Sequence, residues 1–74
     1  MDLRFSRHAH GRMARDMVTA AEVSEALEHP TAPPRPARRG RMLARRVHAR
    51  GVLNVLYEAH PQGPLVVSCW RALR

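Results

Sequence analysis

The chain has 74 residues and carries 13 Lys or Arg against 6 Asp or Glu, so its formal net charge at pH 7 is +7. All of the basic residues are arginine. This length predicts a single domain over residues 1–74 with a thin core, which leaves homo-oligomerisation open. One cysteine excludes an internal disulfide framework. Since no apolar run is long enough for a signal peptide or a membrane span, we expect a cytoplasmic protein. The strong positive charge attracts nucleic-acid phosphate, anionic lipid or an acidic protein.

The first predicted helix covers Ser6 to Asp16, with Ser6 as its N-cap. His8, Arg12 and Arg15 stand at i, i+4 and i+7, so an imidazole and two guanidiniums share one face. These groups can hold a phosphodiester and supply the acid, the base and the cation for metal-free RNA cleavage. The same spacing also fits a solvated helix face.

A second helix is predicted from its start signals. Thr19 and Glu22 stand in the T-x-x-E arrangement of a capping box. Val18 and Val23 occupy the two positions of a hydrophobic staple around it. The helix should end at His29, because the following proline restricts the backbone of the residue before it.

Residues 31–40 form a segment rich in proline and arginine. It is too proline-rich for a central strand and too polar to bury, so it predicts a basic loop or an irregular sheet edge. We expect its arginines, with the one that follows and Arg15, to bind nucleic acid. The arginines of this segment are Arg35, Arg38 and Arg39, and the one that follows is Arg41.

From residue 41 onward, apolar residues recur at every second position. This pattern predicts strands over 41–49, 52–58 and Leu65–Trp70, with a further short strand over Leu3–Phe5 as an option. Short turns favour an antiparallel meander, which needs the helices against one face. The predicted fold class is therefore α+β, with two N-terminal helices packed on a three- to four-stranded antiparallel sheet.

Arg45 and Arg46 project to opposite faces of their strand. Three apolar residues share the Arg45 face: Leu43, Val47 and Ala49. This predicts that the helices cover the Arg45 face and that Arg46 and His48 point outward. Tyr57 and Trp70 are candidates for stacking on bases, although the core needs most of the three aromatic residues.

The histidines invite a metal interpretation, which their spacing does not favour. His8 and His10 form an H-x-H pair, but on a helix the two rings point about 200° apart. We therefore predict no metal site and no cofactor. Cys69 lies in an apolar run and is predicted to be a small buried side chain rather than a nucleophile.

Four short motifs follow one another over nearly the whole chain. They are H-A-H-G-R-M at His8–Met13, V-T-x-x-E-V at Val18–Val23, the helix end before Pro30, and L-x-V-x-Y-E at Leu53–Glu58 with a Val-rich strand after it. In this order they resemble domain-of-unknown-function family four-two-five-eight, which is grouped with the RelE, ParE and BrnT toxins.

The resemblance implies a metal-independent ribonuclease, active with or without the ribosome and neutralised by an antitoxin. It also implies two helices packed on a twisted antiparallel sheet, and it carries His8 and Arg12 over as active-site residues. Two positions depart from the family. Asp16 and Met17 stand where the family usually has a second Arg and then a Gly, and Arg15 lies one position early.

Two hypotheses follow. The first is a RelE-like endoribonuclease toxin, with His8 as acid or base, Arg12 and Arg46 holding phosphate, and Tyr57 or His48 assisting. The second is a non-catalytic binding module, whose basic sheet face and arginine-rich loop engage nucleic acid or an acidic protein partner. Neither hypothesis involves a membrane.

Overall fold

The computed structural model describes residues 2–73. Two helices pack on a five-stranded sheet. In chain order the elements are β1 (Arg4–Phe5), α1 (Arg7–Asp16), α2 (Ala20–Glu28), β2 (Arg35–Pro36), a 3₁₀ turn (Arg38–Gly40), β3 (Met42–His48), β4 (Gly51–Glu58) and β5 (Leu65–Ala72). The strand order in the sheet is β1-β5-β4-β3-β2, in which β1 and β5 run parallel and the other neighbouring pairs are antiparallel.

The predicted α+β class is confirmed, and the meander of β3, β4 and β5 forms as expected. The sheet differs from the prediction because it has five strands and is mixed. Each additional strand is a two-residue pairing at an edge: β1 beside β5, and β2 beside β3. Pro36 suits such an edge position because proline has no N–H to donate to a ladder. The proline-rich segment is thus an irregular edge, one of the two forms expected for it.

Ser6 joins the start of α1 to the sheet. Its hydroxyl accepts a hydrogen bond from the N–H of Ala9 at 3.0 Å and donates one to the carbonyl of Val67 at 2.8 Å. A register shift between Leu56 and Tyr57 leaves Val67 as an extra residue in β5. The predicted N-cap is confirmed, and the bulge presents the carbonyl that holds it.

The capping box of α2 is confirmed. Glu22 donates its N–H to the Thr19 hydroxyl at 3.1 Å, and the Glu22 carboxylate accepts from the Thr19 N–H at 3.0 Å. Val18 and Val23 are both buried in the core cluster, as the hydrophobic staple requires. His29 is the C-cap, so the helix ends where the proline predicts.

Met17 ends α1 in the left-handed region, with φ 54° and ψ 47°. Glycine is favoured at this position of a helix end, because a side chain costs roughly 1 kcal/mol there. The Met17 side chain is 73% exposed.

The prediction for the faces of β3 is wrong. Arg46 is paired in register with Leu53, which is 1% exposed in the core beneath the helices. The helices therefore cover the face that carries Arg46 and His48, and Arg45 lies on the opposite face, which we call the open side. Arg46 is tolerated under α2 because it donates a 2.6 Å hydrogen bond to the carbonyl of His29.

The core is small and lies between the helices and the central strands. Its cluster of buried residues is Ala9, Val18, Val23, Ala26, Leu53, Val55, Val66 and Cys69. Cys69 is buried as predicted, and burial raises the pKa of its thiol. Within residues 2–73, no helix is both long enough and apolar enough to cross a membrane.

Candidate functional site

Two of the predicted catalytic residues meet in a cleft of about 350 Å³ between α2 and the sheet, which we call the helix-side cleft. Arg46 and His48 lie two positions apart on β3 and so point to the same side. The cleft brings together groups that act as acid, base and cation. Its lining is Ala21, Glu22, Glu25, Arg46, His48 and Leu53.

Arg46 is already engaged within this cleft. One terminal nitrogen donates to the His29 carbonyl at 2.6 Å, and the other lies 3.2 Å from the Glu25 carboxylate. The first contact satisfies a carbonyl at the end of α2, where a cation is also favoured by the helix dipole. Arg46 therefore fastens α2 to β3.

Arg71 and Glu22 form the most buried ion pair of this side. One terminal nitrogen of Arg71 lies 3.2 Å from both carboxylate oxygens of Glu22, with 13% and 24% of the two side chains exposed. The pKa of Glu22 is held below its usual value, chiefly by the Thr19 N–H and then by Arg71, while burial opposes this. The capping carboxylate of α2 is thus also the anchor of β5.

His48 lies between two donors. Its Nε2 is 3.2 Å from a terminal nitrogen of Arg71, and its Nδ1 is 3.3 Å from the backbone N–H of Arg50. A neutral imidazole has one acceptor nitrogen, so it satisfies only one of these donors. The lone pair that a general base needs is therefore engaged by Arg71 or by Arg50 in this structure.

The candidates on α1 lie outside the helix-side cleft. The Arg12 guanidinium is 3.8 Å from the Asp16 carboxylate, which also accepts a 3.2 Å hydrogen bond from the N–H of Arg71. Asp16 therefore forms a long ion pair with Arg12 and also connects the end of α1 to β5. His8 and Arg15 are exposed, and neither has an ion-pair partner within residues 2–73.

Tyr57 is also separate from Arg46 and His48. It pairs in register with Met42, at the end of β3 away from His48, and its half-buried side chain packs against the core. Met42 and His48 are six positions apart along β3, which separates the levels of the two rings by about 20 Å at 3.3 Å per residue. The predicted catalytic set therefore divides among three places.

The open side has two clefts lined by arginines. One, of about 280 Å³, lies between the segment after α2 and β3, and Arg35 and Arg45 line it. The other, of about 360 Å³, is lined by Arg38, Arg39 and Arg41 together with other residues. Most of the predicted nucleic-acid-binding residues thus lie around the open side, and Arg45 belongs with them.

The five arginines that line the open-side clefts differ in whether they have a carboxylate partner. Arg41 lies 3.2 Å from the Glu58 carboxylate, and the pKa of Glu58 is lowered by His60 and by Arg41. The other four arginines of the open-side clefts are exposed and form no ion pair within residues 2–73. They are Arg35, Arg38, Arg39 and Arg45.

The sequence analysis did not predict that Arg71 and Arg50 pair with Glu22 beside the helix-side cleft. The last strand was predicted to end at Trp70, but it continues to Ala72. Because Cys69 points to the core, alternation along a longer strand would have placed Arg71 beneath the helices. Arg50, expected only as part of a turn, lies 4.0 Å from the Glu22 carboxylate.

Among residues 2–73, no group of three or more His, Cys, Asp or Glu side chains is arranged to hold a metal ion. Comparisons with protein-family models, with curated proteins and with solved structures found no match to this chain.

Proposed function

We propose that this protein is a small basic RNA-binding protein of the cytoplasm, which holds the phosphates of RNA on its open side. The observation that supports this is the difference in ion pairing between the arginines of the open-side clefts and those around the helix-side cleft. The clefts of the open side carry four exposed arginines without an ion-pair partner in the described chain. Arg46 and Arg71, at the helix-side cleft, are bound to carboxylates. Arg7 and Arg15 on α1 are unpaired within residues 2–73 and serve as the comparison in the salt experiment below.

An unpaired guanidinium is suited to phosphate because it presents parallel N–H donors and stays charged at every physiological pH. A paired one must first leave its carboxylate. RNA is the nucleic acid that the resemblance to the toxin family implies. An acidic protein, such as an antitoxin, would be attracted by the same arginines. Polyglutamate therefore represents it as a competitor in the test below.

The test is binding of a labelled single-stranded RNA, measured by fluorescence anisotropy in EDTA, followed by a denaturing gel of the recovered RNA. We expect binding with the RNA intact, and weaker binding when Arg35 and Arg45 are both changed to Ser. Polyglutamate should compete poorly. Absence of binding, or equal competition by polyglutamate, would refute the proposal in favour of an acidic protein partner.

A second candidate function, metal-independent RNA cleavage, is supported by the meeting of Arg46 and His48 in the helix-side cleft. In such a reaction His48, neutral and released from its hydrogen-bond donor, removes the proton of a ribose 2′-hydroxyl, whose oxygen attacks the adjacent phosphorus. Arg46 stabilises the added negative charge after leaving Glu25. A water molecule protonates the departing 5′-oxygen and then takes back the proton from His48, which leaves a 2′,3′-cyclic phosphate on the RNA.

The same gel decides on this candidate. Discrete products that disappear in His48→Ala but persist in His8→Ala would assign cleavage to the helix-side cleft. Products that disappear only in His8→Ala would assign the cleavage to His8 on α1. Intact RNA with all three proteins leaves binding as the activity.

A further inference from the structure

Three side chains of different chemistry form one row across the open side. Arg45 is paired in register with Asn54, and Asn54 with Trp70, on the three central strands. Their neighbours Leu53 and Val55 point into the core, so alternation directs the row away from the helices. Adjacent strands are about 4.8 Å apart, so the row spans about 10 Å.

Asn54 is the unusual member of this row. It is 6% exposed, the only buried polar or charged residue in the described chain. Its side chain makes no hydrogen bond to any residue in the range 2–73, yet its amide is not among the buried polar atoms of this range that lack a partner. The small exposed part of Asn54 therefore includes amide atoms. Between Arg45 and Trp70 this amide offers two donors and an acceptor to a ligand with complementary polar groups.

Trp70 and Arg45 can bind the two other parts of a nucleotide, the flat face of its base and its phosphate. Trp70 is half-buried, so part of its indole faces outward, and an aromatic ring of this kind stacks on an unpaired base. Arg45 is exposed and lines the 280 Å³ cleft together with Arg35, where phosphates are expected. The carboxylate of Glu58, on the same side, is paired with Arg41 and lies 3.1 Å from the His60 ring.

We propose that the row Arg45, Asn54 and Trp70 is a recognition site for one unpaired adenine of RNA. Trp70 stacks on the base, the Asn54 amide pairs with the adenine N6 and N7 groups, and Arg45 holds the adjoining phosphate. This inference rests on the proposed function, since it names the part of the RNA that the open side reads. It requires a single strand, because a paired base hides its faces in the stack.

The protein offers a direct signal for this contact, because Trp70 is its single tryptophan. We expect oligoadenylate in EDTA to quench the fluorescence of Trp70, and to bind about tenfold more tightly than oligouridylate or an A–U duplex of the same length. Asn54→Leu should abolish the preference for adenine while leaving the affinity for oligouridylate unchanged.

Trp70→Leu should lower the affinity for both single strands by about tenfold, measured by anisotropy with labelled RNA, while Trp70→Phe keeps a stacking ring and most of the affinity. Leu73→Ala changes an exposed apolar residue after β5, outside the row and outside the open-side clefts, and should bind like the unchanged protein. Circular dichroism establishes that each variant is folded. If Trp70→Leu unfolds, two other measurements test the inference: the adenine preference of Asn54→Leu, and the quenching of Trp70 fluorescence in the unchanged protein.

Equal affinity for adenine, uridine and duplex RNA, without quenching of Trp70, would overturn the inference while the proposed RNA binding stands. Loss of the adenine preference in Leu73→Ala as well as in Asn54→Leu would also overturn it. Absence of binding to every RNA would instead refute the proposed function itself.

Discussion

The substitution Glu22→Gln isolates the ion pair between Glu22 and Arg71, because glutamine also completes a capping box. Removing one partner of a fully buried pair costs about 3 to 5 kcal/mol, whereas an exposed pair contributes less than about 1 kcal/mol. This pair is intermediate, with 13% of Arg71 and 24% of Glu22 exposed. We therefore expect the free energy of unfolding to fall by about 2 kcal/mol at neutral pH.

The stabilisation by the Glu22 carboxylate should depend on pH in a direction set by the shift of its pKa. The pKa of Glu22 is below its usual value of 4.5 in the folded protein. Its contribution to stability is therefore complete above the unfolded pKa and is lost as the pH falls through the folded pKa. Urea denaturation of both proteins between about pH 7 and about pH 4 should show the gap between them beginning to narrow below about pH 5.

Glu28→Gln is the matched control on the same helix. Glu28 is exposed, accepts a 3.0 Å hydrogen bond from the Ser24 hydroxyl, and has no ion-pair partner within residues 2–73. We expect it to change the unfolding free energy by less than about 0.5 kcal/mol. Equal losses in the two variants, or a Glu22→Gln loss that stays constant down to acid pH, would refute the role assigned to the pair.

Three further changes test the backbone features of the fold, each by its denaturation midpoint. Met17→Gly should raise the unfolding free energy by about 1 kcal/mol, because φ is 54° there; a lower midpoint would contradict this. Gly51→Ala should lower it by more than about 2 kcal/mol, because φ is 117° and the added methyl group would overlap the Ala72 carbonyl; an unchanged midpoint would be incompatible with that contact. Thr19→Ala should lower it by about 1 kcal/mol through loss of the N-cap, and no loss would show that the cap is not needed.

Local signals in the sequence predicted both helices and the three central strands. The capping box at Thr19 and Glu22 involves residues three apart, so its geometry depends on few other contacts. The two edge strands were harder to predict, because a two-residue strand has no periodicity of its own. They form where the chain passes beside β5 and β3, which depends on tertiary packing.

The orientation of β3 shows why the candidate site was only partly predictable. Counting apolar residues placed the Arg45 face under the helices, but the helices cover Ala44 and Arg46 instead. Arg46 is acceptable there because its partners, the His29 carbonyl and Glu25, come from the end of α2. Such long-range partners carry no signal in the spacing of residues along β3.

The dependence of RNA affinity on salt is the most direct measurement of the central claim, that arginines of the open side hold phosphate. Each contact with a single strand contributes about 0.7 to the slope of log affinity against log salt. Arg38→Ser with Arg39→Asn removes two charges from the open side, with asparagine chosen because φ is 61° at that position. Arg7→Ser with Arg15→Ser removes the same charge from α1.

We predict that the open-side pair flattens the slope by about 1.4 and that the α1 pair leaves it unchanged. Equal flattening by the two pairs would mean that RNA responds only to the net charge. Flattening by the α1 pair alone would place the phosphates on α1 and contradict the account.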